Sequence, residues 1–205
     1  TNDPLLYERA CRFHDVGTIA RSFNESIGRG ALAGFASCNF RMNEFTGAVL
    51  RGQLKKLETI CSALRANAKR VRAGIADLPG IKLRKSGDIE GDLGMRIFLD
   101  MGNRERRDQF LRAIRAEGIS ANGPGGSAIL PADGRVANKA TIHPDWPSFR
   151  SPQGQAIQYG AECCPRTIDI LGRHGGVTIG PKYTEEDVAD VIKAIRKVYL
   201  AMHKA

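Results

Sequence analysis

The chain has 205 residues, of which 42% are hydrophobic, and it carries a formal net charge of +9. This length suffices for one large domain with a real core, or for one and a half smaller domains. No run approaches the roughly 18 apolar residues of a membrane-spanning helix, and no signal segment stands at the front, which predicts a soluble cytoplasmic protein. Because the sequence starts at Thr1 without a Met, we also expect further sequence upstream.

The polar side chains exclude some classes of site. Five scattered cysteines lack the Cys-x-x-Cys spacing of a zinc site, and four histidines add no ligand pattern, so we predict reduced thiols and no metal. Basic residues are spread along helical faces and interleaved with acids, as in "RERRDQFLRAIRAE". This pattern favours a solvated surface that attracts anionic ligands over a surface that binds nucleic acid.

The first predicted element is a short helix that begins at Pro4, after Asp3, and stops at Gly17. Its helical spacing is carried by Leu5, Leu6, Arg9 and Phe13. Residues 17–37 are rich in Gly and Ser and carry no period, which predicts a long loop of the kind that is usually functional.

The strongest periodic pattern begins after a polar stretch, in "CNFRMNEFTGAVLRGQLKKLE". Apolar residues at spacings of four and three predict one helix of about thirty residues, on the order of 45 Å long. Asn43 suits the N-cap, Glu44 suits the first turn because of the helix dipole, and "DLPG" at 77–80 ends the helix. The apolar positions are Leu50, Leu54, Leu57, Cys61, Leu64, Ala68, Val71 and Ile75.

The second half of the sequence alternates between strand and helix patterns. Strands are predicted around "IKLRKSG" and "GMRIFLDMG", then a helix from about Arg104 to Glu117. An irregular stretch from Ala121 to Pro152 precedes a helix from about Gly154 to Cys164, the strand "GGVTIG" and a final helix. In that last helix, Thr184 is the predicted N-cap and Asp187 completes a capping box. The alternation predicts a two-layer α/β domain, which the first thirty-odd residues fit poorly.

The order of these features resembles the pyridoxal-phosphate sugar aminotransferases of the DegT/DnrJ/StrS type, which have the aspartate-aminotransferase fold (fold type I). The matching segments are "TNDPLLYERACRFHDVG", "NFRMNEFTGAVLRGQLKKLE", "RRDQFLRAIRAEGI" and "CPRTIDIL...YTEEDVADVIKAIRKVY". The second is the most specific, because an Asn-aromatic-Arg-Met run that leads into a Gln-Leu-x-Lys-Leu helix is a hallmark of the family.

The resemblance implies that this chain is the C-terminal portion of such an enzyme. Residues 1–37 would be the end of the large domain with an interface loop, and residues 38–205 the long helix with the small α/β domain and its mainly antiparallel sheet. The lysine that forms the Schiff base would lie upstream, so the chain alone would be inactive. None of its own lysines is a candidate for the Schiff-base role, which requires a desolvated pocket. Lys55 and Lys56 lie in the long predicted helix beside its apolar positions, and the others lie among charges or in loops.

The resemblance also implies a homodimer with active sites at the subunit interface. The loop before the long helix would reach the partner's cofactor phosphate or substrate, which makes Asn39 and Arg41 the cofactor-binding candidates. An amide and a guanidinium suit phosphate oxygens or a carboxylate. The alternative is that Asn39 and Arg41 only fix the loop to the start of the helix. Candidates for substrate binding are His14, Asn122, Ser127, His143 and Trp146. The alternative is a structural role for His14 and packing within the Gly- and Pro-rich loop for the others.

Two functions follow as hypotheses. The first is transfer of an amino group from glutamate or glutamine to a keto sugar or keto cyclitol through pyridoxal phosphate, with dehydration of a sugar as a variant within the same class. The second is a non-catalytic α/β module or fragment that binds an anionic sugar or a partner protein.

Overall fold

In a computed structural model, residues 1–18, 31–39, 42–124, 129–143 and 147–203 are described. The chain forms two compact units, each built from separated stretches of sequence. Unit 1 comprises Thr1–Leu50 with Ile129–Pro165, and unit 2 comprises Arg51–Ala128 with Arg166–Ala205. The predicted assignment of residues 1–37 to the end of a large domain and of residues 38–205 to a small domain stays a prediction. Among the described residues, no helix is long and apolar enough to cross a membrane.

Nine α-helices and three strands are found in the described residues. The helices are α1 Pro4–His14, α2 Glu44–Leu54, α3 Leu57–Ile75, α4 Arg104–Ala116, α5 Gly134–Ala137, α6 Pro147–Arg150, α7 Pro152–Ala156, α8 Pro165–Arg173 and α9 Glu185–His203. The strands are β1 Arg96–Asp100, β2 Ala121–Asn122 and β3 His174–Thr178, and short 3₁₀ turns lie at Leu130–Ala132 and Ala161–Cys163.

Unit 2 is a small antiparallel sheet covered by helices. Strand β3 lies between β1 and β2 and pairs antiparallel with both, so that Leu99 faces Gly175 and Ala121 faces Val177. Alternate residues of β1 are buried against a core that α3, α4 and α9 complete. The predicted mixed α/β fold with a small antiparallel sheet is therefore confirmed.

The core of unit 2 is formed by the apolar sides of three amphipathic helices packed on the sheet. Each of the three packing helices has an apolar stripe with a helical period, and these stripes bury the aliphatic face of the sheet. The side chains that are completely buried include Phe110, Ile75, Ile97, Leu99, Ile114, Ile195, Val71 and Val177. The predicted capping box is present, because Thr184 Oγ1 accepts from the Asp187 backbone N–H while Asp187 accepts from the Thr184 N–H.

The predicted thirty-residue helix is wrong in its continuity, since α2 and α3 are separated at Lys55 and Lys56. The Lys56 N–H bonds the Gln53 carbonyl, three residues back, instead of continuing the four-residue ladder. Burial of the stripe starts only at Leu64, and α2 buries no side chain within the described residues. Most of the stability of a helix in a protein comes from the packing of its apolar face. Because α2 is not packed, nothing requires it to continue as one helix with α3, and a tight turn joins the two. The predicted N-cap is correct, because Asn43 Oδ1 accepts from the Thr46 N–H.

Two other predicted elements differ from the structure. The segment "IKLRKSG" forms no strand of its own but one isolated antiparallel bridge to β1, from Leu83 to Leu99. Two backbone hydrogen bonds flank this bridge, from the Arg84 N–H to the Phe98 carbonyl and from the Asp100 N–H to the Lys82 carbonyl. The helix predicted from Gly154 to Cys164 is wrong. Helix α7 already ends at Ala156, and α8 begins at Pro165, where proline's fixed φ and missing N–H suit a helix start.

Gly94 provides a test of the core. It has a φ of +67°, and an added Cβ would lie 2.2 Å from Ala68 Cβ, whereas a Cβ on Gly80, with a φ of +70°, would meet nothing within 4 Å. Gly94→Ala should lower the free energy of unfolding by about 2 to 4 kcal/mol, from left-handed backbone strain plus overpacking. Gly80→Ala, with backbone strain alone, should lower it by about 1 kcal/mol. Equal losses in urea denaturation would contradict this account.

Candidate functional site

Residues 35–39 in unit 1 form an extended segment whose backbone is held on one side by the end of α1. The Val16 N–H donates to the Cys38 carbonyl at 3.0 Å, and Asp15 and Asn39 form an antiparallel bridge. Backbone hydrogen bonds fix both the path and the register of a segment. Asn39 therefore has a defined position although its side chain is exposed.

The other side of this segment is held by residues 140–143. The Ala36 N–H donates to the Ala140 carbonyl at 2.9 Å, and Ala36 forms a parallel bridge with Thr141. Unit 1 thus places 140–143 alongside 35–39, which in turn lies against the end of α1. His14, Asn39 and His143, three of the residues predicted from the sequence, lie on these three neighbouring segments.

Gly17 makes this arrangement possible at the end of α1. Its φ is +76°, a conformation that favours glycine, and its N–H donates to the Arg12 carbonyl. An added Cβ would lie 1.4 Å from the Phe35 carbonyl oxygen. Any larger residue at this position would therefore push residues 35–39 away from the helix.

A buried carboxylate ties α1 to the chain just before this segment. Glu8 is buried, and its oxygens accept from the Ala31 N–H at 2.7 Å, the Leu32 N–H at 3.0 Å and Arg12 Nε at 2.7 Å. Burial alone would raise the pKa of Glu8, but the hydrogen bonds from Ala31, Arg12 and Leu32 together lower it below its ordinary value. Glu8 is thus a charged anchor at neutral pH.

A second ion pair contacts the turn that follows α1. Arg135 donates to both carboxylate oxygens of Asp133, at 2.8 and 2.7 Å, and its Nη1 donates to the Val16 carbonyl at 2.8 Å. The hydrogen bonds from the Arg135 side chain and backbone lower the pKa of Asp133 to about 2. This pair links the 129–143 stretch to the same turn that bridges to Asn39.

The remaining predicted residues are distributed differently. Asn122 is the last residue of β2 in unit 2. Its side-chain oxygen accepts a hydrogen bond from Arg115 Nη2 at 3.1 Å, so this side chain has a structural role within unit 2. Arg41, Ser127 and Trp146 lie outside the described residues. Sequence reasoning missed Glu8 and Arg135; the spacing of Glu8 and Arg12 by four residues on a helix was the available signal.

The described lysines do not fit the role of a Schiff-base residue, which needs a desolvated amine. Most are exposed, and the half-buried Lys139 donates through Nζ to the Gln155 carbonyl at 2.9 Å. No three His, Cys, Asp or Glu residues of the described segments lie close enough together to hold a metal ion. Asn39 stays the candidate for cofactor binding among the described residues, and it lies at the end of a segment fixed by backbone bonds.

Similarity to known proteins covers nearly the whole chain. A curated relative from Micromonospora echinospora, assigned by name as an L-glutamine:3-amino-2,3-dideoxy-scyllo-inosose aminotransferase, is 26% identical over 203 residues. That match covers 94% of this chain and 46% of the relative.

Solved structures support the fold. S. venezuelae DesV, solved in complex with a ketimine intermediate, aligns with a TM-score of 0.53 at 23% identity over 96% of this chain and 45% of its own. Spr1654 from Streptococcus pneumoniae, assigned as a sugar aminotransferase and solved in its PMP form, aligns with a TM-score of 0.56 at 13% identity over 98% of this chain and 46% of its own.

The chain therefore spans about half the length of the relatives it matches. The profile of one family matches residues 1–123, which is more than half of the sequence and includes α1, the 35–39 segment and the sheet strand β1. The chain belongs to the DegT/DnrJ/EryC1/StrS aminotransferase family.

Proposed function

We propose that this chain is the C-terminal portion of a pyridoxal-phosphate aminotransferase that moves an amino group from glutamate or glutamine to a keto sugar or keto cyclitol. Membership of the family supports the reaction class. The observation that carries the role of this portion is the segment 35–39. It is held by backbone bonds on both sides and presents the exposed Asn39 shortly before α2.

In this proposal, Asn39 and Arg41 bind the phosphate of the cofactor in the partner subunit. The Asn39 amide can donate two hydrogen bonds, and the Arg41 guanidinium can donate a bidentate pair to phosphate oxygens. When bound, the cofactor supplies the electron sink for amino transfer. The Schiff-base lysine would come from sequence outside this chain, since no described lysine is buried.

The exposed apolar side chains of α2 support an interface at this place. Phe45 is 86% exposed and Val49 is 62% exposed, and α2 buries no side chain within the described residues. Contiguous apolar surface of this kind marks contact sites between proteins. A second copy of the same subunit that covers α2 would also bring Asn39 and Arg41 to its own cofactor site.

Asn39→Ala and Arg41→Ala test the cofactor role in the full-length gene product. Each should lower the affinity for pyridoxal phosphate on the order of tenfold, because each removes charge-assisted hydrogen bonds to phosphate. The measurement is the visible absorbance of the bound cofactor in a titration. Asn138→Ala, which removes an exposed amide elsewhere in unit 1, should leave the affinity unchanged. Wild-type cofactor affinity in both test variants would refute the assignment.

Val49→Glu tests the interface. A charge in the centre of a buried apolar contact should raise the dimer dissociation constant by at least about tenfold, as measured by sedimentation equilibrium. Arg51→Glu introduces the same side chain two residues later, on the opposite side of α2, and should change the constant much less. If the two variants weaken the dimer equally, or if neither does, α2 is not the interface.

The ion pair of Asp133 with Arg135 predicts how the stability of unit 1 depends on pH. A carboxylate whose pKa is about 2 when folded, against an ordinary value of 3.8, contributes stability above pH 3.8 that is lost as the pH falls toward 2. Asp133→Asn should remove about 1 to 2 kcal/mol at neutral pH and flatten this acid dependence. Urea titrations followed through the amide signals of residues 134–140 measure both effects, and an unchanged acid slope would contradict them.

A further inference from the structure

Unit 2 contains a cavity of about 470 Å³ at the end of strand β1, and most of the charged side chains that line it are basic. Lys82, Arg106 and Arg173 contribute three cations, whereas Asp100 is the single carboxylate among the described lining residues. The rest of the described lining comprises Gly80, Met101, Gly102, Asn103, Tyr199 and His203. Cations that outnumber carboxylates in a concave site give it a positive potential, which attracts anions.

The last residues of β1 bring the three cations together. The Asp100 N–H donates to the Lys82 carbonyl at 2.8 Å. On the next residue, the Met101 N–H donates to the Arg173 carbonyl at 2.9 Å. Helix α4, which contains Arg106, begins shortly after β1. Because backbone hydrogen bonds fix the path of a chain, the end of β1 sets the spacing of three cations that come from separate stretches of sequence.

Arg106 and Lys82 keep hydrogen-bond donors that the protein itself does not use. Arg106 is half-buried, and its Nη2 donates to the Met202 carbonyl in the last turn of α9 at 3.4 Å. Such a contact favours a cation near a helix C-terminus, but it occupies only one of the five N–H donors of the guanidinium. Lys82 is exposed, and within the described part of the chain its ammonium forms no ion pair or hydrogen bond. Both side chains can therefore donate to a ligand while the contact to α9 is kept.

Arg173 is held in place by two carboxylates. Its Nε lies 3.1 Å from Asp100 Oδ2, and its Nη1 donates to Asp169 Oδ2 at 3.1 Å. These pairs fix the guanidinium and leave its Nη2 for a ligand. Asp100 Oδ1 also accepts from the Gly102 N–H at 2.9 Å, so both oxygens of this carboxylate are engaged within the protein. The charges of the other two cations in the cavity are therefore left to attract an anion.

We propose that Lys82, Arg106 and Arg173 form a binding site for a phosphate group, either free phosphate or the phosphate of a small monoester. The three cations lie on different elements, so they can reach several oxygens of a tetrahedral phosphate, whereas a carboxylate presents only two oxygens in one plane. The cavity volume lies in the range of small-ligand sites, which leaves room for the organic part of an ester. The site stands independently of the aminotransferase proposal, because phosphate binding there requires no amino transfer.

The test is a titration of the ¹⁵N-labelled 205-residue chain with inorganic phosphate at fixed ionic strength. Saturable amide shifts should concentrate at residues 80–82, 100–106 and 199–203, which line the cavity or adjoin its lining. Lys82→Gln and Arg106→Gln should each weaken binding at least about fivefold, because each removes charge-assisted hydrogen bonds to phosphate.

Two control variants carry the same changes outside the cavity. Lys85→Gln removes an exposed cation from the same loop as Lys82, and Arg112→Gln removes an exposed cation from the same helix as Arg106. Each control should leave phosphate binding within about twofold, because an exposed cation away from the ligand is screened by salt. Equal losses in the control and cavity variants, or no saturation at about 20 mM phosphate, would overturn the site.

Ligand comparisons separate the chemical class from its source. Binding of glucose 6-phosphate at least as tight as that of inorganic phosphate supports a monoester, while binding of inorganic phosphate alone supports free phosphate at the same site. Equal binding of succinate, a dicarboxylate, would overturn the phosphate assignment. Should Arg106→Gln disturb the amide spectrum as a whole, Lys82→Gln decides alone, since the Lys82 side chain is exposed.

Discussion

The buried carboxylate of Glu8 is the interaction on which unit 1 depends. In unit 1, the buried apolar side chains among the described residues are Cys11, Phe35 and Ile129, and Glu8, Arg12 and Asp15 are buried beside them. Unit 2 instead contains a continuous aliphatic core. A unit with so little apolar burial gains less from the hydrophobic effect, so its arrangement rests on directed hydrogen bonds. A paired buried carboxylate has a defined geometry and is costly to leave unpaired.

Because unit 1 is held by hydrogen bonds more than by apolar burial, helix α1 buries its charged side. The sequence predicted a short helix here, and in the structure Leu5 and Leu6 are each more than half exposed, whereas Glu8 and Arg12 are buried. On helix α2, the apolar side chains of Phe45 and Val49 are exposed as well. Burial of an ion pair while apolar residues remain exposed is unfavourable for an isolated unit. It becomes favourable when another protein surface covers the apolar side.

How far the sequence predicted this structure differs between the units. The amphipathic stripes of α4 and α9 and the strand pattern of β1 predicted unit 2 well, because burial there follows local periodicity. The sequence also predicted the Asn43 cap, since capping depends on residues within one turn. It did not predict the break at Lys55 and Lys56, because that break reflects the absence of packing on α2, which no local pattern records.

The sequence identified candidate site residues that lie within one contiguous motif, but not those that only the fold brings together. The polar residues before α2 were recognised through resemblance to a family, and the structure adds why Asn39 is fixed: backbone bonds to residues far away in the sequence, near Val16 and Ala140. Arg9, Lys139 and Arg150 line one cavity of unit 1, which was not foreseen, because Arg9 is separated from Lys139 by 130 positions and only the fold brings them together. A net charge of +9 therefore has a more specific meaning than solubility. Most of the basic residues lie on solvated helical faces, but three of them line one concave site, where charges of one sign add to a potential that attracts anions.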